Sequence, residues 1–211
     1  MSWTLENYDR LMIALGEHVM LVGIALAISI AIAFPLGIWS ARRRAVYVAV
    51  MAVTGVLYTV PALALFALLI PFMGLGTAPA ITALVLYSLL ILIRNIATGI
   101  RELPAELIEA ADGMGYGPWR RLWKIELPLA LPVIVAGIRI TAVTQISVAT
   151  VAAYISAGGL GDIIFQGITQ DFNEKIIAGA VLTSLLAVVA DESLRFLERR
   201  LMPPAGLTDA G

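Results

Sequence analysis

The sequence predicts an all-α polytopic membrane protein with about five transmembrane helices. Three observations predict it. Of 211 residues, 60% are hydrophobic and only 14% charged, with a mean hydropathy of +0.93. The apolar residues fall in five long runs nearly free of charge, and the arginines gather beside alternate ends of those runs. Soluble domains average about 25% charged residues, whereas a hydrocarbon core of ~30 Å takes roughly 20 apolar residues as a helix. Backbone groups find no water there, so each run closes its hydrogen bonds internally.

Residues 1–18 come first. Trp3, Leu5, Leu11, Met12 and Leu15 are interspersed with polar residues, and the basic region of a secretory signal is missing, so a helix lying at the outer interface is expected. The first span covers 19–39 and stops before Arg42, Arg43 and Arg44; the second covers 47–70; the third covers 75–93 and stops at Arg94. A polar loop, 94–131, separates these from the fourth span at 132–155. The fifth, 176–190, is short and gains length at its ends, where Asp191, Glu192 and Arg195 reach the interface. The transmembrane unit is thus 19–200, and 201–211, with Pro203 and Pro204, reads as a loose tail.

Positive residues near span ends are retained in the cytoplasm. Eleven lysines and arginines fall on one side of this layout and two, Arg10 and Lys175, on the other, with Arg139 inside the fourth span. The amino terminus is therefore expected outside, and the carboxyl terminus and the 94–131 loop in the cytoplasm. With no cysteine and one histidine, His18, neither a disulfide framework nor a zinc site is available. A net charge of −1 gives no basis for nucleic-acid binding. No G-x-x-x-x-G-K-S/T phosphate loop occurs, so any ATP-Mg would be held by another chain.

The long loop carries the most specific pattern, EAADGMGYGPWRRLWKIELP from Glu109 to Pro128. Pro104 suits the first turn of a helix over 104–114; Gly115 and Gly117 permit a turn, and Pro118 disfavours helical geometry at the residue before it. A second helix then begins near Trp119, with Trp119, Leu122 and Trp123 on one face and Arg120, Arg121 and Lys124 around it. Physics alone divides evenly between an interfacial hairpin and a docking element. The smooth patch of Ala110, Ala111 and Gly115 beside Glu109 favours insertion into another protein's groove.

The fixed identities Glu109, Ala110, Ala111, Gly115, Ile125, Leu127 and Pro128 resemble the coupling-loop signature of ABC-importer permease subunits. The resemblance implies the type I permease fold, with Glu109, Ala110, Ala111 and Gly115 docking on a separate ATP-binding subunit. Ile125, Leu127 and Pro128 would hold the hairpin against the bundle. Further runs narrow the family: T-V-P-A-L-A-L from Thr59, P-F-M-G-L-G from Pro71, Arg94-Asn95 near Thr98-Gly99, and A-G-G-L-G-D ending at Asp162 look like the osmoprotectant permeases of bacterial inner membranes, which import glycine betaine, choline or carnitine. Similarity covers 21–200; Ile91 stands where that family is expected to carry a proline. The resemblance implies three partners: ATP-binding subunits, a second permease copy or a related permease, and an extracytoplasmic solute-binding protein. Methionine or other amino-acid importers share the loop and form the alternative. A carrier or channel independent of ATP is the alternative of another class, against which the spans hold few acids and no evident inverted repeat.

Candidate pathway or gate residues are less sharply marked. Pro61 breaks the second span, with a kink expected between Gly55 and Pro61. In the fourth span Thr141, Thr144 and Gln145 share one face, and Arg139, Ser147, Thr150 and Tyr154 another; helix packing explains them as well as a pathway does. Arg139 is expected to pair with Asp191 or Glu192. A quaternary ammonium is best held by aromatic faces, for which Tyr58, Tyr87 and Tyr154 are the candidates. Gly158 and Gly159 permit a re-entrant or gate-like outer turn, with Asp162 and Asp171 as a negative rim.

Overall fold

A computed structural model describes residues 2–201; the tail from 202 on lies outside the described residues. Among these residues every regular element is helical. A short helix α1 (Ser2–Glu6) precedes α2 (Tyr8–Arg42), followed by α3 (Arg44–Thr59), α4 (Ala62–Met73), α5 (Thr77–Arg101), α6 (Ala105–Gly113) and α7 (Pro118–Arg121). A π-turn over Leu122–Glu126 joins α7 to α8 (Leu127–Val151), and a 3₁₀ turn, Ala152–Ile155, closes it; α9 (Leu160–Thr169) and α10 (Asn173–Leu201) complete the chain.

Among the described residues four stretches are long and apolar enough to cross a membrane, and the pair α3 and α4 makes a fifth if counted as one broken span. The first differs from expectation. α2 starts at Tyr8 rather than near residue 19, because Leu11, Ala14 and His18 are buried and continue the packed face toward the amino terminus. The fourth also differs: helix runs without interruption from Pro118 to Ile155, not from residue 132. Pro128 has no N–H and its ring crowds the preceding turn, and the π-turn beside it, with Leu127 N–H donating to the Leu122 carbonyl, accommodates that crowding without ending the helix.

α5 lies at the centre, packed between α2 and α8, while α10 packs on α8 and α9. Half of the apolar window of α5 is buried, against 11% for α10. One apolar core joins Leu21, Ala25, Phe66, Leu84 and Ile146, and a second joins Ala33, Leu92, Ile96, Leu127 and Ile134 toward the arginine-rich end. Gly37 and Gly137 allow the close approaches in this half: an added Cβ would lie 2.6 Å from Ile96 and 2.5 Å from Asn95 respectively.

The break at Pro61 is larger than a kink. α3 and α4 diverge by 98°, with Val60 extended (φ −67°, ψ 128°) as the residue before proline prefers. The Tyr87 hydroxyl on α5 donates to the Val60 carbonyl that the break exposes.

Candidate functional site: the hairpin at the arginine-rich end

α6 and α7 form the expected hairpin, at the end of the bundle where α2 finishes at Arg42 and Arg43 leads to Arg44, the start of α3. Pro104 precedes α6, and the helix stops where Gly115 adopts φ +78°, a conformation a β-carbon disfavours. The Tyr116 N–H returns to the Ala111 carbonyl and the Gly115 N–H to that of Asp112, closing the turn. Pro118 opens α7 at its first position.

α6 is a short helix with most of its surface uncovered. Glu109, Ala110 and Gly115 are exposed, as are Leu107 (42%) and Met114 (67%), which with Ala110 form an apolar strip at helical spacing. Ala111 is 0% exposed. Of the expected docking set it is the buried member, whereas Glu109, Ala110 and Gly115 are exposed. Of the three residues expected to hold the hairpin, Leu127 is buried, Ile125 half-buried and Pro128 exposed. Leu107 and Met114 were not singled out in the sequence, although their three- and four-residue offsets from Ala110 place them on its face.

Sequence reasoning also passed over Glu126. It sits in the π-turn with 1% of its side chain exposed, and its two oxygens are held by different elements. Arg42 at the end of α2 donates to Oε2 at 2.6 Å, and Arg121 Nε donates to Oε1 at 2.8 Å. Arg121 also pairs with Asp112 of α6. The ionic chain Arg42, Glu126, Arg121, Asp112 thus ties α2, the π-turn, α7 and α6 together. A cavity of 370 Å³, lined in part by Arg42, Ile100, Ile108, Glu109 and Glu126, separates α6 from the helix ends above it. Trp119 and Trp123 are exposed, and with Trp39, Phe34 and Pro35 they line a second cavity of 490 Å³ between α2 and the start of the α7–α8 stretch.

The candidate pathway residues do not converge on one site. Tyr58 and Tyr87 meet edge to face at 5.8 Å, whereas Tyr154, 71% exposed, packs on Phe165 at 6.1 Å. Thr141 is buried and turns its hydroxyl back to the Gly137 carbonyl. Gln145 is buried between three helices: its amide donates to Ser88 Oγ at 2.6 Å and reaches Ser29 Oγ at 3.4 Å. Arg139 makes a forked contact with Asp191 at 3.0 and 3.2 Å and donates to Glu198 at 2.6 Å, clamping α8 to α10. Glu192 pairs with Arg195 instead. These contacts are packing and clamping, the structural alternative left open by the spacing.

At the other end, Gly158 (φ +80°) and Gly159 (φ +81°) form a tight turn pressed on α2. The Gly159 N–H donates to Glu17 at 2.9 Å, and a Cβ at Gly159 would lie 3.0 Å from His18. The buried His18 ring meets the Ile146 carbonyl at 3.1 Å. Asp162, on α9, is held above the ordinary carboxylate range by burial first and the neighbouring Glu17 carboxylate second, with Arg10 opposing. Glu17, Ser156, Gly158, Asp162 and Phe165 line a cavity of 390 Å³ there. The negative pair at this end is thus Glu17 and Asp162; Asp171 lies on the turn before α10 (φ +50°).

Residues 33–203 match the family described as binding-protein-dependent transport system inner membrane component. Among similar proteins, a carnitine transport permease protein, OpuCB, of Listeria monocytogenes is 43% identical over 95% of this chain and 92% of its own length. A glycine betaine/carnitine/choline transport system permease protein, OpuCB, of Bacillus subtilis is 39% identical over 96% and 94%, and an osmoprotectant import permease protein, OsmW, of Salmonella typhimurium is 40% identical over 95% and 96%. The fold is similar to that of a chain in an inward-facing MetNI methionine ABC transporter, with a TM-score of 0.84 at 22% identity, covering 96% of this chain and all of that one. The all-helical bundle, its apolar spans and the match over most of its length together make this chain a multi-pass member of the binding-protein-dependent transport system inner membrane component family.

Proposed function

We propose that this chain is the permease subunit of an ATP-driven ABC importer for osmoprotectant quaternary amines, among them glycine betaine, choline and carnitine. The observation that carries the reading is α6: a short helix with an uncovered strip of Leu107, Ala110 and Met114 beside Glu109, at the arginine-rich end of the bundle. By the bias of positive charge that end is cytoplasmic and the amino terminus is outside, so α6 is within reach of an ATPase. ATP-Mg binds to that subunit, and this chain does no chemistry of its own. A second permease, identical or related, completes the pathway, and an extracytoplasmic binding protein delivers cargo at the end formed by α9 and the Gly158–Gly159 turn. The names of relatives about 40% identical over nearly the whole chain support the substrate class. The scattered tyrosines, Tyr58 against Tyr87 and Tyr154 apart from them against Phe165, fit a permease that releases its cargo.

The test is co-expression with candidate ATP-hydrolysing subunits and uptake by membrane vesicles with and without ATP. Ala110→Arg places a charge on the exposed strip, where it leaves stability within about 0.5 kcal/mol, and is expected to reduce co-purification of the ATPase about tenfold or more, as loss of a central interface contact does. Full uptake without ATP would overturn the reading. Competition among glycine betaine, choline, carnitine and methionine then identifies the cargo; competition by methionine alone would refute the substrate class.

A further inference from the structure

We propose that Glu126 is a positioning residue that transmits displacement of α6 to α2, through the contacts Asp112–Arg121–Glu126–Arg42. The proposal rests on the reading of α6 as the element an ATPase subunit moves. Three observations support it. First, α6 buries one side chain, Ala111, and a 370 Å³ cavity lies between it and the ends of α2 and α5. The link from α6 to Arg42 beside that cavity is ionic.

Second, the π-turn makes the link. In an α-helix a residue five positions on is rotated by about 140° from the first, so Arg121 and Glu126 would face apart. The wider turn over Leu122–Glu126 brings them to 2.8 Å. Third, the buried carboxylate is stable only with its partners in place, since losing one guanidinium leaves a charge half unpaired in an apolar setting. The separation between α7 and Arg42 is therefore closely held. From Arg42 the displacement has a route along α2, which stays helical from Tyr8 to Arg42 with Pro35 inside it. About 38 Å along it, Glu17 holds the Gly159 N–H and His18 meets the α8 carbonyl of Ile146. A push at the hairpin is delivered to the glycine turn at the opposite end.

The experiment uses the complex assembled with its ATP-hydrolysing subunits in proteoliposomes, with the binding protein in excess. It reads radiolabelled glycine betaine moved per ATP hydrolysed. Asp112→Asn, at a half-exposed position that tolerates the change, and Glu126→Gln are each expected to lower that ratio about fivefold or more, the low end of a typical coupling free energy. Asp112→Glu, which keeps the charge, is expected to restore it. A salt bridge that only stabilised the fold would lower the yield of complex and leave the ratio unchanged. A ratio equal to the parent's in assembled Asp112→Asn complex overturns the inference while the reading of α6 stands. If no ATP-hydrolysing subunit joins the parent chain, the reading falls and the inference with it.

Discussion

Ala110 and Ala111 adjoin in the sequence, yet one is exposed and the other has no accessible surface. Successive helical residues lie about 100° apart around the axis, so the motif E-A-A distributes its members between an exposed face and a buried one. Glu126 shows the same limit in another form. A glutamate between Ile125 and Leu127 reads as an ordinary solvated acid, and only Arg42, 84 residues away, makes it a buried one. Asp162 carries a measurable consequence. Its carboxyl sits above the ordinary range because of burial and Glu17, so the folded state holds its proton more tightly than the unfolded chain does. The stability it contributes is complete below the ordinary carboxylate value and is lost as pH rises through its elevated one. Asp162→Asn is therefore expected to raise the unfolding midpoint at neutral pH and to flatten its rise on mild acidification. Thermal unfolding in detergent across that range checks this, and an unchanged slope would contradict it.

The break in the second span was legible because proline chemistry is local: Pro61 removes a donor and restricts Val60. Its 98° angle was not legible, since it is set among distant helices, where Tyr87 reaches across from α5 to the Val60 carbonyl. Tyr87→Phe removes that hydrogen bond and leaves the carbonyl without it. The expected cost is about 0.5–1.5 kcal/mol, read as a lower unfolding midpoint, together with faster proteolysis near Val60; unaltered cleavage would mean that the break is held by packing alone. The joined α7–α8 stretch teaches the converse. The polar loop was expected to run to residue 131, but a π-turn absorbs Pro128, and Pro132 lies inside α8. Helix extension here depends on a hydrogen-bond shift that residue spacing does not encode. The forked Arg139–Asp191 contact lay within reach of the sequence, since an arginine inside a span needs an acid, but Glu198 as its second partner required the placement of α10 against α8.

At the scale of the whole molecule, the least covered long helix is α10, whose Ile177, Val181, Leu185 and Val188 are all exposed. A lone bundle of about five spans leaves such faces to lipid or to a second copy. The purified importer is accordingly expected to contain two permease chains with its ATP-hydrolysing subunits, a stoichiometry that native mass spectrometry reads directly; a single permease chain in the active complex would overturn it. The sequence by itself determined the solvent, the apolar runs, the uneven distribution of arginine, the proline break and the coupling signature. Each follows from hydrophobicity, charge or backbone chemistry that acts within a few residues. The tertiary structure alone decided that α2 begins at Tyr8, that Ala111 is buried, that Tyr87 reaches the broken span, and that Glu126 and Glu17 join α2 to the π-turn and the glycine turn. Those outcomes depend on partners up to 142 residues distant, and burial and pairing belong to the packed helices together, not to any one segment.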